Sequence, residues 1–279
     1  MSINVDSTPA LTQWRRLSTR IGIIGAPNKG KTQSLLTFPP PVALVSMPGE
    51  MGINTVPLGV VEGKEVIVDP AGKVIGHPYF FEPVAGDGWY KAMQDVKDTV
   101  AKIVAGGAYQ TLALDGLHNY YLTVLNVKSG GALAKGEDFE GRRAYSQAAS
   151  LFFQDLRGWL RSTMPYVVAT MWMSRDQDNP NTQEKVPRSH YFADLAGKSG
   201  QRIAGEFAVF LQATTEGTGR AARYIWKTDP DDDVWGVGVK MPVAQRAKLP
   251  PQLPQEWAKL APYLVMGAGE RTILREPVK

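Results

Sequence analysis

Apolar and polar positions follow two rhythms along this chain. Short, largely apolar runs stand at Ile21–Ile24, Val42–Met47, Leu112–Leu114 and Pro165–Met173. Each is bounded by glycine, proline or charge, and such runs predict strands buried on both faces. Between them the period lengthens. Met93, Val96, Val100 and Ile103 share one helical face, predicting a helix over Tyr90–Val104 that ends at Gly106-Gly107. Ala148, Leu151, Phe152, Leu156, Trp159 and Leu160 do the same for Arg142–Thr163. A shorter helix is expected at Thr32–Phe38, stopped by Pro39-Pro40-Pro41, and another near Gln255–Leu264.

Elsewhere the alternation is strict. Residues 58–76, around Asp69-Pro70-Ala71-Gly72, predict a β-hairpin inserted into the core. Phe207–Thr215, Ala221–Thr228 and Val234–Met241 predict a C-terminal β-meander. Strand and helix alternate through the first two-thirds, so the expected fold class is α/β, a mostly parallel sheet flanked by helices. Residues 1–17 read as an N-terminal arm, 18–265 as one domain and 266–279 as a tail. The Gly-rich stretch 129–141 reads as a mobile loop. The polar stretch Ser174–Tyr191, with two prolines and no apolar period, reads as a long exposed loop of the kind that carries function.

Composition narrows this picture only a little. The 279 residues suit one large domain or two small ones, and 43% hydrophobic with 21% charged content is ordinary for a globular protein. No apolar run reaches the roughly 18 residues of a membrane span, and no secretory signal stands at the N-terminus, so no membrane partner and a cytoplasmic location are expected. Cysteine is absent, which excludes disulfides and thiolate metal sites. The net charge of +4 is compatible with nucleic acid without arguing for it.

The candidate chemistry changes the picture most. Gly25-Ala26-Pro27-Asn28-Lys29-Gly30-Lys31-Thr32 fits the phosphate-binding pattern G-x-x-x-x-G-K-[ST] in full. It stands between a buried strand and a helix, where backbone N–H groups and the helix dipole converge on a phosphate. Lys31 would reach the β- and γ-phosphates and Thr32 would hold Mg²⁺; the phosphate loop spans Gly25 to Gln33. Asp115 closes a buried strand and is the candidate second magnesium ligand, with a helix N-cap as the alternative. Glu50 ends the neighbouring strand, either as the carboxylate that activates water or as a solvated turn residue. The histidines His77, His118 and His190 share no metal-ligand spacing, so ordinary roles are expected. The acidic cluster Asp229, Asp231, Asp232 and Asp233 reads as a turn. Arg15, Arg16 and Arg20 read as a solvated approach to the first strand or as a DNA contact.

Taken in order, the segments GAPNKGKT, PVALVSMPGEMG, YQTLALDGL and LAGKSGQRIAGEF, then three strands and the exit VKMPVAQRAKLPPQLPQEW, resemble the RecA-like ATPase core. The chain is most similar to compact phage-encoded RecA-like proteins of recombination and single-strand annealing, over residues 18–265. The resemblance implies a RecA-like P-loop ATPase using ATP and Mg²⁺, with Lys31 and Thr32 on phosphate and metal, Glu50 catalytic and Asp115 in the magnesium site. It implies a homo-oligomer, ring or filament, in which Lys240, Arg246 or Lys248 reaches a neighbouring subunit's nucleotide. It further implies single-stranded DNA as partner, a single-strand-binding protein alongside it, and a host-cytoplasmic location for a phage-encoded chain. The loop 174–191 falls at the DNA-binding position, with Arg175, Lys185 and Arg188 for phosphates and Tyr191 for stacking; a solvated loop whose cations are cancelled by Asp176, Asp178 and Glu184 is the alternative. Where the family carries a polar sensor, this chain has Met171-Trp172-Met173. The other readings are a nucleotide-gated assembly or loading factor with slow turnover, and a P-loop small-molecule kinase.

Overall fold

The computed structural model describes residues 19–82, 88–137, 140–175, 191–195, 199–217, 221–229, 237–240 and 246–264. The first strand, β1 (Arg20–Gly25), runs into helix α1 (Lys31–Leu35), and β2 (Val42–Ser46) follows the prolines. Next come β3 (Leu58–Val61), β4 (Lys64–Val68), β5 (Val74–Phe80), α2 (Trp89–Gly106), β6 (Thr111–Asp115) and α3 (Leu117–Lys128). After the short α4 (Ala132–Lys135), α5 (Gly141–Leu160) leads to β7 (Tyr166–Arg175) and β8 (Tyr191–Ala193). The C-terminal part holds α6 (Ser199–Arg202), β9 (Val209–Glu216), β10 (Arg223–Lys227), β11 (Gly238–Val239), β12 (Gln252–Pro254) and α7 (257–264).

These strands form one sheet in the order β12-β10-β9-β1-β7-β6-β2-β5-β4-β3. The central six, β9 to β5, are parallel, and the flanks are antiparallel. Parallel strands covered on both faces should show apolar residues at every position, divided by parity. That is the observed division. Ala43, Val45, Leu112, Leu114, Val167 and Ala169 pack with α2, α3 and α5. Val42, Leu44, Ala113 and Val168 face the other way, with Ile21, Ile23, α1 and α7. Met93, Val96, Val100 and Ile103 are the buried stripe of α2, as the periodicity predicts.

Three segments show more strand and helix than their patterns predict. The hairpin expected over 58–76, around Asp69–Gly72, is present as the antiparallel pair β4–β5, with β3 added on β4. The segment holds β3, β4 and the start of β5, with a turn closed at Asp69–Lys73, and β5 pairs in parallel with β2, so it continues the main sheet. The loop 129–141 contains α4, held between Gly131 and Gly136 in left-handed conformation. Of the expected loop 174–191, residues 176–190 lie outside the described residues; on either side β7 runs to Arg175, whose backbone pairs with Tyr191.

Arg20 is no DNA contact either. It is buried, and its guanidinium donates to the carbonyls of Leu160, Ser162 (3.0 Å), Met164 (2.9 Å) and Pro165 (3.2 Å), closing the exit of α5 onto β1. Arg15, Arg16, the arm and the tail lie outside the described residues, as do His190 and Asp231–Asp233. Asp229 pairs with Arg246 at 3.1 Å. No helix among the described residues is long and apolar enough to cross a membrane.

Candidate nucleotide site

The site forms where β1, β6 and β2 end. The chain leaves β1 at Gly25, turns through Ala26–Gly30 and enters α1 at Lys31. Lys31 is buried, and its ammonium donates to the loop's own carbonyls, Gly25 at 2.9 Å and Ala26 at 2.8 Å. Burial lowers its proton affinity, while the charges of Asp115 and Glu50 oppose that shift.

Strand parity decides which side chains meet α1. Asp115 and Thr170 share the parity of Ala113 and Val168, so both point to the α1 face at the ends of β6 and β7. There Thr32 donates its hydroxyl to Asp115 Oδ2 at 2.8 Å, and Thr170 donates to Oδ1. Thr170 in turn accepts the Gly116 N–H at 2.9 Å. Burial raises the Asp115 carboxyl; the two hydroxyl donors and Lys31 pull it down. Asp115 does not cap α3: the N-cap is Gly116, with no side-chain capping bond.

Glu50 follows β2 on a tight turn closed by its N–H to Met47 O at 2.9 Å. Its Oε1 accepts the Gly52 N–H and its Oε2 accepts the Asn119 amide, each at 3.2 Å. It is thus no solvated turn residue: its side chain is only 9% exposed. Burial first, and Asp115 second, push its carboxyl above the ordinary value. Two glycines make this approach possible. A Cβ at Gly116 (φ +85°) would stand 2.5 Å from Glu50 Oε2, and one at Gly52 would stand 2.2 Å from Thr32 Oγ1.

Lys31, Thr32, Glu50 and Asp115 therefore line one cleft of about 360 Å³, with Pro27–Gly30, Gln33, Met51, Trp172 and Tyr224. Gln33 donates to Thr55 O at 3.0 Å. A hydroxyl and one carboxylate are hard oxygen donors of the kind Mg²⁺ takes when substrate phosphates supply further ligands. No group of three or more His, Asp or Glu among the described residues competes for a metal. The residues present fit Mg²⁺.

Some candidates stand apart. Lys240 donates to Gly205 O, and Arg246 pairs with Asp229; neither they nor the exposed Lys248 line the cleft. Lys185 and Arg188 lie outside the described residues, and only the backbone of Arg175 and Tyr191 is described. Other participants escaped sequence reasoning. Gln255 donates its amide to Lys29 O (2.9 Å) and Ile225 O (3.0 Å), tying the exit from β12 to the phosphate loop. Lys29 donates to Thr215 at 2.9 Å. His118 is buried beside Glu50 rather than in an ordinary core, and stacks on Trp172. The one legible signal was Thr170, a polar residue inside an apolar strand.

Comparison with known proteins agrees on the class. The AAA domain family model matches residues 17–236. Among solved structures, the chain is similar to a prototypical ATPase from the type III secretion system of pathogenic bacteria: 14% identity, TM-score 0.37, covering 72% of this chain. This chain spans 55% of that ATPase's length. It is also similar to the flagellar accessory protein FlaH from Methanocaldococcus jannaschii, at 12% identity and TM-score 0.33, covering 79% of this chain and 84% of that one. No curated protein matches.

Proposed function

The chain belongs to the AAA-domain family, and from that premise we propose that it binds and hydrolyses ATP with Mg²⁺, as a homo-oligomer acting on single-stranded DNA. The observation that carries the reading is the convergence of Lys31, Thr32, Glu50 and Asp115 on one cleft. Each group has a task. The Lys31 ammonium exchanges two carbonyl partners for phosphate oxygens, without needing a new position for its α1 backbone. Thr32 and Asp115 would hold Mg²⁺, and a bound ion there would neutralise charge developing on the phosphates. Glu50, buried and raised in proton affinity, orients the attacking water and accepts its proton. Thr170 keeps the Asp115 carboxylate turned to the cleft.

In this reading Lys240, Arg246 or Lys248, none of which lines its own cleft, acts across a subunit interface on a neighbour's phosphates. The DNA reading is supported by β7, which passes the cleft residue Trp172 and continues to Arg175, paired with Tyr191. This pairing sets the backbones of one cationic and one aromatic residue side by side, the residue types that single-strand binding uses. The test is the ATPase rate of the full chain with and without single-stranded DNA, beside Lys31→Ala. Turnover that DNA stimulates and Lys31→Ala abolishes is expected. Turnover indifferent to DNA would leave a nucleotide-gated assembly factor, and phosphorylation of a small molecule would make it a kinase.

A further inference from the structure

Among the described residues, His118 is the one buried titratable group beside the cleft to which this mechanism gives no task. It lies on the first turn of α3, with its side chain 3% exposed. Its Nδ1 accepts the backbone N–H of Trp172 at 3.4 Å, so the neutral ring carries its proton on Nε2. That Nε2 has no hydrogen-bond partner among the described residues. It faces Glu50 Oε2 at 3.8 Å. Trp172 fixes the ring plane as well, stacking on the imidazole with centroids 4.4 Å apart, and its indole lines the cleft.

We propose that His118 is a positioning residue for Glu50, its Nε2–H aimed at the catalytic carboxylate by the stack and backbone N–H of Trp172. This rests on the ATPase reading for Glu50. Trp172, on β7, supplies the connection, and the polar group comes from α3. The groups facing the pair are consistent with this role. Glu50 meets Asn119, the Gly52 N–H, Asp115 and Lys31; His118 meets Lys31 and Glu50. Burial and the Lys31 charge hold the imidazole down to about 3, so it stays a neutral donor and does not compete with Glu50 as a base.

The test follows two readouts in the full-length protein. One is steady-state ATP hydrolysis. The other is the titration midpoint of the Glu50 carboxyl in nucleotide-free protein, by ¹³C NMR, identified by its loss in Glu50→Gln. His118→Phe keeps a flat ring against Trp172 and loses both nitrogens. It is expected to lower kcat about tenfold or more, with KM for ATP within about twofold, and to move the Glu50 midpoint upward. His118→Gln, which returns an N–H near the place of Nε2, should recover part of both effects. Should the Phe variant not fold, His118→Asn, too short to reach Glu50, is expected to show the same upward shift. An unmoved midpoint overturns the proposal, as does an equal loss in the Phe and Gln variants, which would mark a packing role. A wild type that binds ATP without hydrolysing it would remove the ATPase reading, while the midpoint still decides whether His118 acts on Glu50.

Discussion

Thr32 donates its hydroxyl to the carboxylate of Asp115 at 2.8 Å, joining two residues 83 positions apart. The strand of Asp115 is separated from β1 by β7, so the bond from α1 spans a whole strand. Thr170, on that intervening strand, holds the other carboxylate oxygen. Since each hydroxyl gives its proton to Asp115, the oxygen lone pairs of Thr32 remain for a cation.

Lys31→Ala should weaken ATP binding roughly 10- to 100-fold, the scale of a charge-assisted bond to phosphate. Calorimetric titration with ATP and Mg²⁺ checks this. An unchanged dissociation constant together with unchanged turnover would contradict the role of the loop.

The two acids should separate. Asp115→Asn is expected to weaken the magnesium dependence of ATP binding. Glu50→Gln should leave binding nearly intact and slow hydrolysis about 10²-fold or more. Binding measured over a magnesium series, beside single-turnover hydrolysis, distinguishes them; variants that behave alike would refute the division of labour.

Glu50 also makes stability depend on pH. Burial and Asp115 raise its folded-state proton affinity above the ordinary value of 4.5. Its contribution is therefore fully present below that value and is lost as pH rises through the folded one. Glu50→Gln should melt above the wild type near neutral pH, and the gap should narrow on acidification below 4.5. A wild type that melts higher at neutral pH would show that the ionised carboxylate stabilises the fold.

If Arg246 acts on a neighbour's nucleotide, turnover per subunit should rise with protein concentration. Mixing Lys31→Ala with Arg246→Ala subunits should restore part of the activity, because some interfaces then pair an intact phosphate loop with an intact arginine. Constant turnover from a strictly monomeric species excludes the shared site.

For DNA, the substitution of Arg175, Lys185 and Arg188 together by alanine should weaken single-strand binding. The salt slope should fall by roughly 0.7 for each DNA phosphate that the variant no longer neutralises. Fluorescence anisotropy over a salt series measures it, and wild-type affinity with wild-type slope would place the DNA site elsewhere.

Much of the fold was legible because it is written locally. A phosphate loop is a contiguous pattern, and runs such as Val42–Met47 declare burial on both faces without reference to any partner. The helical period of Met93, Val96, Val100 and Ile103 located α2 to within a residue or two of its ends. Glu50 and Asp115 were visible as acids ending such strands.

What local pattern does not contain is the identity of a strand's neighbour. Periodicity says that a face is buried, not against what, so the hairpin over 58–76 was legible but the parallel pairing of its β5 strand with β2 was not. The same limit hid His118 beside Glu50, and Gln255, which reaches Lys29 across 226 positions. The sequence by itself determined the phosphate loop, the α/β alternation and the acids at the strand ends. Only the tertiary structure decided that parity turns Asp115 and Thr170 toward Thr32, and that Gly116 and Gly52 leave room for the Glu50 turn. Those relations depend on distances between strands that are remote in the chain, and chain order does not encode such distances.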